Sequence, residues 1–235
     1  FWPGPLTLVL PKDPRLPEEV TGGLDAVGVR LPAHPVARAL IEKVGAPLAA
    51  PSANRYTAIS PTSAEHVRRS LDGRIHAILD GGETTVGIES TVVDLRGERP
   101  MLLRPGAVTA AELEEVVGPI GRPDGSARHL PSPGLARRHY APAARVRLCD
   151  ATELAQAAFP ADRRVGVMAL GPRPVGPERP IRWVQMPDHP APYARQLYRT
   201  LHAMDEAAVE ELWIEMPPAE GEWEGVRDRL QRAAG

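Results

Sequence analysis

Short apolar runs alternate with polar stretches along the first half of this chain. Runs of three to five mostly apolar residues occur at 6–10, 27–31, 47–50, 75–79, 91–95 and 101–103. Each run is too short for a typical helix and is bounded by polar or turn-forming residues, so we predict six β-strands.

Helical periodicity appears between these runs. Pro35 occupies the position of a first helical residue, apolar side chains recur on one face as far as Val44, and Gly45 ends the pattern. Thr62 and Thr109 are each followed three residues later by a glutamate, which is the spacing of a capping box. We therefore predict one helix at 35–44 and two more that end near residues 73 and 118.

A break separates this half from a second one. Residues 118–142 lack apolar periodicity, and a segment of that length is usually a functional loop or a linker. Beyond it we predict strands at 146–148, 165–170, 181–186 and 212–214, and helices at 152–158, 193–204 and 223–233. The alternation indicates an α/β fold, which we divide into a domain at 1–120, a linker at 121–143 and a small domain at 144–235.

Composition narrows the possible functions. The formal net charge is −2 and aromatic residues make up 4% of the chain, whereas RNA readers usually carry basic surface and stacking rings. The single cysteine, Cys149, excludes an internal disulfide, and no apolar run approaches the length of a membrane span. We expect a cytoplasmic protein. The start at Phe1 is the pattern expected of a chain that begins inside a domain.

Polar side chains stand where predicted strands end, and they are the candidate chemistry. The chain has no GxxxxGK[ST] loop, no HExxH and no GxSxG motif. Arg30 and Arg104 each follow an apolar run and could clamp a carboxylate or phosphate. Residues 51–54 offer a hydroxyl and an amide, and residues 60–62 offer a helix start that attracts phosphate. Each feature alone is more often a turn or a solvated charge.

Taken in order, these segments resemble the YrdC-like domain of L-threonylcarbamoyladenylate synthases. The matching segments are 1–7, 29–32, 51–54, 60–62, 87–94 and 103–106. Residues 132–134 and 139–142 resemble the linker of the longer, two-domain members, and Asp205, 216–218 and 228–230 resemble their C-terminal domain. The resemblance implies a twisted mixed sheet of the YrdC-like type, N-terminally truncated, followed by a small Rossmann-like α/β domain.

The resemblance also implies an activity and its ligands. These enzymes join L-threonine, bicarbonate and ATP into L-threonylcarbamoyladenylate and pyrophosphate, for the threonylcarbamoyladenosine modification of tRNA next to the anticodon. Mg²⁺ is expected through the phosphates, and the product would pass to a separate tRNA threonylcarbamoyl transferase. The family's threonine contacts fall on Arg30, Ala50 and Ser90. Its ATP contacts fall on Ala26, Ser52, Ser60, Arg104 and Tyr140.

Two departures from the family qualify this interpretation. Nothing before Phe1 corresponds to the family's Lys/Arg-rich N-terminal half, so we expect the fragment alone to be inactive. Residues 55–58 also differ from the family's usual Leu/Arg-Ser-Gly continuation. We expect the linker to be a lid that orders over the first domain when ATP binds, with Tyr140 at the phosphates.

Other functions stay open. One is a carbamoyl-adenylate chemistry, as in the YrdC-like domain of hydrogenase maturation proteins, and another is a non-enzymatic RNA-binding module. Direct binding of tRNA or of a membrane is not expected. The histidines form no HxH or HxxxH pair, so we expect no metal site in the protein and expect His34, His66 and His76 at the surface or at helix ends.

Overall fold

The computed structural model of the chain describes residues 1–123, 140–174 and 181–235. These residues form two compact units. Unit 1 joins residues 1–51 to 89–123, and unit 2 joins 52–88 to 140–174 and 181–235. Unit 2 thus includes a segment from the middle of the first predicted domain, and the boundaries at 120 and 144 stay a prediction.

Eight strands and seven α-helices are present in the described residues, with one short 3₁₀ helix, Gly221–Trp223. The strands are β1 (Leu6–Pro11), β2 (Ala26–Val29), β3 (Thr91–Asp94), β4 (Met101–Arg104), β5 (Arg145–Cys149), β6 (Val165–Ala169), β7 (Ile181–Gln185) and β8 (Glu211–Glu215). The helices are α1 (Glu18–Thr21), α2 (Pro35–Val44), α3 (Ala64–Leu71), α4 (Ala110–Val117), α5 (Ala151–Ala155), α6 (Pro190–Glu206) and α7 (Glu224–Ala234).

Unit 1 is built on a mixed sheet in the order β2-β1-β3-β4. Strand β1 is antiparallel to β2 and parallel to β3, and β3 is antiparallel to β4. Successive side chains of a strand point to opposite faces. Accordingly, Val93 and Leu102 pack in one apolar cluster with Leu113 of α4, whereas Val92 and Leu103 pack in another. Strand β3 is buried along its length, so its first residues are well fixed.

Unit 2 contains a parallel sheet in the order β5-β8-β6-β7. Parallel sheets are usually covered on both faces. One face packs against α6 and α7, with Leu197 and Leu201 fully buried against Leu212 and Ile214. A second cluster around Val167 and Trp213 includes Leu154 of α5. Tyr193, Leu197, Tyr198 and Leu201 recur at helical spacing along α6 and form a buried core stripe.

Three predicted elements differ from the structure. Residues 47–50 and 75–79 are exposed and form no strand, because a strand needs a hydrogen-bonded neighbour and the described residues provide none there. The cap of α3 is Ser63 instead of Thr62, since the Ser63 hydroxyl accepts from the amide of His66. The capping box of Thr109 with Glu112 is confirmed.

Helix α2 forms where the periodicity predicted it, yet its apolar stripe is open. The exposed fractions of Val36, Leu40 and Val44 are 40%, 39% and 50%. None of the described helices is long and apolar enough to cross a membrane.

Candidate functional site

A cluster of polar side chains lies at the start of β3 in unit 1. The Ser90 hydroxyl is 2.7 Å from that of Thr7 on β1. Arg104 on β4 donates from Nε and Nη2 to the Ser90 carbonyl at 3.1 and 3.0 Å, and its Nη2 is 3.3 Å from the Ser90 hydroxyl. Ser90 and Arg104 are buried. A guanidinium beside two hydroxyls is a donor set suited to a carboxylate or a phosphate.

The loop after β4 holds this cluster in place. A Cβ atom added at Gly106 would lie 2.4 Å from the Thr91 amide nitrogen and 2.8 Å from the Glu89 carbonyl oxygen, so only glycine fits. The Thr91 hydroxyl donates to the Val108 carbonyl at 2.7 Å and accepts from the Val108 amide at 3.1 Å. The loop that follows Arg104 therefore fixes the backbone at the start of β3 through its contacts with Thr91.

Arg30 is the first residue after β2, at the end of that strand nearest Thr7. The last paired residues of β1 and β2 at this end are Leu8 and Val29. The next position of each strand would place Arg30 opposite Thr7. A Cβ added at Gly28 would contact Thr7 at 3.3 Å, and strand alternation puts Arg30 on the same face as Gly28. Arg30 is exposed and has no hydrogen-bond or ion-pair partner among the described residues. Its guanidinium is therefore available to a ligand.

The other two candidates of unit 1 are backbone positions. Ala26 is buried on β2 and pairs with Pro11. Ala50 is exposed in a stretch without regular structure. Neither side chain carries a polar group, so any contact with a ligand would use the peptide groups.

Ser52 and Ser60 lie in unit 2, on either side of a closed loop. The Asn54 side-chain amide donates to the carbonyls of Arg55 and Ala58 at 3.0 and 2.9 Å. The Asn54 amide, a candidate donor in the sequence, therefore closes its own loop, as turn residues usually do. Its Oδ1 atom is buried without a hydrogen-bond partner. Ser52 is exposed, whereas Ser60 is buried.

A second segment of unit 2 runs beside this loop. Ala58 and Ala141 form an isolated parallel bridge, and the Ala141 amide donates to the Thr57 carbonyl at 3.1 Å. Ser60 and Tyr140, which are far apart in sequence, are thereby brought to neighbouring backbone segments. Thr57 and Tyr140 have φ values of +68° and +61°. Such left-handed residues cost about 1–2 kcal/mol and persist only where their surroundings fix them.

Tyr140 is held in the core of unit 2. Its ring lies 5.6 Å from that of Tyr198, and the guanidinium carbon of the fully buried Arg229 is 5.5 Å from the ring centre. Arg229 also pairs with Asp228 at 2.6 Å. Residues 132–134 and His139 of the linker motif lie outside the described residues, and the lid stays a prediction.

A stacked pair of histidines contacts the Ser60 loop. His202 Nε2 on α6 is 3.1 Å from the Ser60 carbonyl, and the ring centres of His202 and His66 are 3.7 Å apart. The Thr62 amide donates to His66 Nδ1 at 3.3 Å, so that nitrogen accepts and the ring is neutral. Burial lowers the pKa of both histidines below the ordinary 6.5, and the neighbouring His202 lowers the pKa of His66 further. His66 is in the first turn of α3, as expected of a helix-end residue, but its ring is stacked.

The next turn of α6 contacts the Tyr140 segment. Asp205 accepts a hydrogen bond from the Ala143 amide at 3.0 Å, and burial raises the pKa of Asp205. Glu206 pairs with Arg69 of α3. One helix thus binds both the Ser60 loop and the segment after Tyr140.

Metal-binding and thiol side chains are two other sources of chemistry. There, no three His, Cys, Asp or Glu side chains lie close enough to hold a metal ion. Burial raises the pKa of the Cys149 thiol to about 11, so it stays protonated at neutral pH and is a poor nucleophile.

Three of these residues had no predicted role. Thr7 and Asp205 lie in segments that carry the family resemblance, but no single-residue signal marks them. His202 and Asp205 are three residues apart on α6, so they share a face of the helix. That spacing is only a weak sign that the two residues act together. Their partners depend on long-range contacts, which the sequence does not reveal.

Similarity to known proteins extends along the whole chain. A family model described as "Telomere recombination" matches residues 1–106, and one described as "Threonylcarbamoyl-AMP synthase, C-terminal domain" matches residues 108–235. The chain is 40% identical to the threonylcarbamoyl-AMP synthase of Pyrococcus abyssi over 251 residues, which covers 100% of this chain and 72% of that protein. It is 41% identical to that of Bacillus subtilis over 246 residues, which covers 100% of this chain and 71% of the relative.

A solved structure supports the architecture. Sua5 of Pyrococcus abyssi complexed with L-threonine matches with a TM-score of 0.86 and 38% identity, covering 100% of this chain and 71% of that one. The predicted two-domain α/β architecture is therefore confirmed.

Proposed function

This chain belongs to the threonylcarbamoyl-AMP synthase family, and we propose that it forms L-threonylcarbamoyladenylate and pyrophosphate from L-threonine, bicarbonate and ATP. The observation that carries the proposal is the cluster at Ser90. Residues from three separate motifs, Thr7, Ser90 and Arg104, meet there in hydrogen-bond contact. The relative from Pyrococcus abyssi, whose structure holds L-threonine, adds support for a threonine site.

The reaction needs no protein nucleophile. The threonine amino group adds to bicarbonate, and water leaves as the carbamate forms. A carbamate oxygen then attacks the α-phosphorus of ATP, and the bond to the bridging β-phosphate oxygen breaks, so that pyrophosphate departs. Positioning and charge neutralisation supply most of the catalysis in such transfers. The donor groups around Ser90 are suited to that task.

The proposed threonine ligands are in unit 1. Arg30, an exposed residue that follows β2 next in register to Thr7, would pair with the threonine carboxylate. Ser90 would bind through its hydroxyl, which Thr7 and Arg104 orient. Ala50 would contribute backbone groups.

Five residues are the proposed ATP ligands. Arg104 would neutralise phosphate charge, Ser52 and Ser60 would donate hydroxyls, Tyr140 would contact the nucleotide, and Ala26 would contact it through its backbone. Mg²⁺ would enter with the phosphates, whose oxygens are its usual ligands beside one or two carboxylates and water. It would supply further charge neutralisation.

The product would serve the threonylcarbamoyladenosine modification of tRNA. A separate transferase would take the activated threonylcarbamoyl group to the nucleic acid. The net charge of −2 favours this division of labour, because a chain without basic excess lacks the electrostatic attraction on which tRNA binding depends.

Pyrophosphate release tests the proposal. The full-length protein is mixed with ATP and Mg²⁺, alone or with threonine, bicarbonate or both. Release is expected only with both, since the nucleophile is the carbamate. Equal release without bicarbonate, or with serine in place of threonine, would contradict the proposal.

A further inference from the structure

Helix α6 of unit 2 holds two backbone segments that carry proposed ATP ligands. On one side, His202 Nε2 lies 3.1 Å from the carbonyl of Ser60 itself. His202 is also stacked on His66, whose Nδ1 accepts from the Thr62 amide at 3.3 Å. The histidine pair, His66 and His202, therefore contacts the backbone of the Ser60 loop at two points.

On the other side, Asp205 binds the segment that follows Tyr140. Its carboxylate accepts from the Ala143 amide at 3.0 Å. His202 and Asp205 are three residues apart, so they lie on one face of the helix. The bridge from Ala58 to Ala141 joins the two segments directly.

We propose that His202 is a positioning residue that, with Asp205, fixes the Ser60 loop and the Tyr140 segment in the arrangement that binds ATP. The inference rests on the proposed ATP roles of Ser60 and Tyr140. It gives the C-terminal part of the chain a task in the reaction, because α6 follows the linker in sequence and supplies both contacts.

The arrangement requires a neutral histidine pair. Protonation at His66 Nδ1 would turn the acceptor for the Thr62 amide into a donor, and protonation of either ring would put a cation against its neighbour at 3.7 Å. The charged groups that face the pair are Glu65 and Arg69 of α3, and Asp205 and Glu206 of α6. Glu65 and Glu206 are already paired with Arg69.

ATP binding is expected to depend on pH through the two histidines. Burial lowers the pKa of each histidine below 6.5. The neutral pair is thus fully present above the ordinary value, and its contribution is lost as pH falls through the lowered values. ATP binding should weaken on that acid limb, whereas threonine binding should change less.

Two substitutions of His202 and one control test the proposal in the protein with its full chain. His202→Leu removes the donor to Ser60. We expect the KM for ATP to rise about tenfold at pH 7.5, because one lost buried hydrogen bond has about that effect. The KM for threonine should stay within about twofold of the wild-type value. His202→Gln keeps an amide donor near the position of Nε2, so it should restore most of the ATP affinity. His76→Leu alters an exposed histidine of the same unit and should behave as wild type.

Amide hydrogen exchange gives a second readout that does not depend on activity. In His202→Leu, exchange should accelerate in the 57–62 peptide while the unfolding temperature changes little, and His76→Leu should show no change. An unaltered ATP KM in an active enzyme would overturn the inference. If wild-type protein releases no pyrophosphate, the proposed function fails instead. Amide hydrogen exchange of residues 57–62 in His202→Leu then still tests whether His202 fixes the loop. An exchange rate equal to that of the wild type would overturn this part of the inference as well.

Discussion

At the residue scale, Ser90 is bound from both sides by neighbouring strands. Thr7 contacts its hydroxyl, and Arg104 contacts its hydroxyl and its carbonyl. The residue assigned to threonine and a residue assigned to ATP are therefore in direct contact. Arg30 has no such link within the described residues and is exposed.

This difference predicts different kinetic effects for the two arginines. Arg104→Ala should raise the KM for ATP by about tenfold or more, since hydrogen bonds to charged groups are worth roughly 1.5–3 kcal/mol, and it should raise the KM for threonine as well because Ser90 loses its partner. Arg30→Ala should raise the KM for threonine alone. Steady-state pyrophosphate release, with each substrate varied in turn, measures both.

Arg38→Ala is the matched control for these variants, because Arg38 is an exposed arginine of the same unit on α2 with only a 3.8 Å ion pair to Glu42. An ATP-specific effect of Arg104→Ala would show that Ser90 does not depend on Arg104. Equal effects of Arg30→Ala on both substrates would remove Arg30 from the threonine site.

Tyr193 provides a test of packing that is independent of function. Its hydroxyl is buried, has no hydrogen-bond partner among the described residues, and has a pKa raised by burial. Tyr193→Phe should leave the free energy of unfolding unchanged or increase it by about 1 kcal/mol, since an unsatisfied buried hydroxyl carries a desolvation penalty. Urea denaturation measures this. A loss above about 1 kcal/mol would show that the hydroxyl has a partner, as lost hydrogen bonds cost about that much.

At the element scale, the loop before β3 is fitted to helix α6 by a glycine. Gly87 has a φ of +87°, and an added Cβ would lie 2.3 Å from the carbonyl oxygen of Ala194 and from Cα of Arg195. Gly45, at the end of α2, has a φ of +69° and no atom within 4 Å of an added Cβ. The two glycines share a left-handed backbone and differ in their contacts.

Alanine at each position separates these effects. Gly45→Ala should cost about 1–2 kcal/mol of unfolding free energy, the penalty of the left-handed backbone alone. Gly87→Ala should cost clearly more, because the loop or the helix backbone must also move. Denaturant unfolding of both variants compares them, and equal losses would mean that Gly87 does not pack on α6.

Local patterns were informative about elements and uninformative about their partners. The Thr109 capping box and the Gly45 stop predicted their helices because those signals are within one turn of the chain. Residues 47–50 and 75–79 have strand-like composition but no neighbouring strand in the described part of the chain. The stripe on α2 predicted a helix correctly, although Val44 is half exposed. Hydrophobic pattern reports what an element could bury, and tertiary contacts decide what it does bury.

At the scale of the whole molecule, the compact units do not follow sequence order. Segment 52–88 packs with the C-terminal residues, so Ser52 and Ser60 belong to unit 2 while Arg30, Ser90 and Arg104 belong to unit 1. The candidate residues themselves were predictable from ordered motifs. The contacts of Ser60 with His202 and of Ser90 with Thr7 were not, because they join positions 142 and 83 residues apart.

The proposed activity is the conversion of threonine to a carbamoyl-adenylate by one chain. The full-length protein is incubated with ATP, Mg²⁺, threonine and ¹³C-labelled bicarbonate, and the products are analysed by mass spectrometry. We predict an adenylate that is one mass unit heavier than with unlabelled bicarbonate and that is absent when threonine is omitted. Pyrophosphate release accompanied by a threonyl-adenylate without label, or by AMP alone at a rate indifferent to threonine and bicarbonate, would contradict the account.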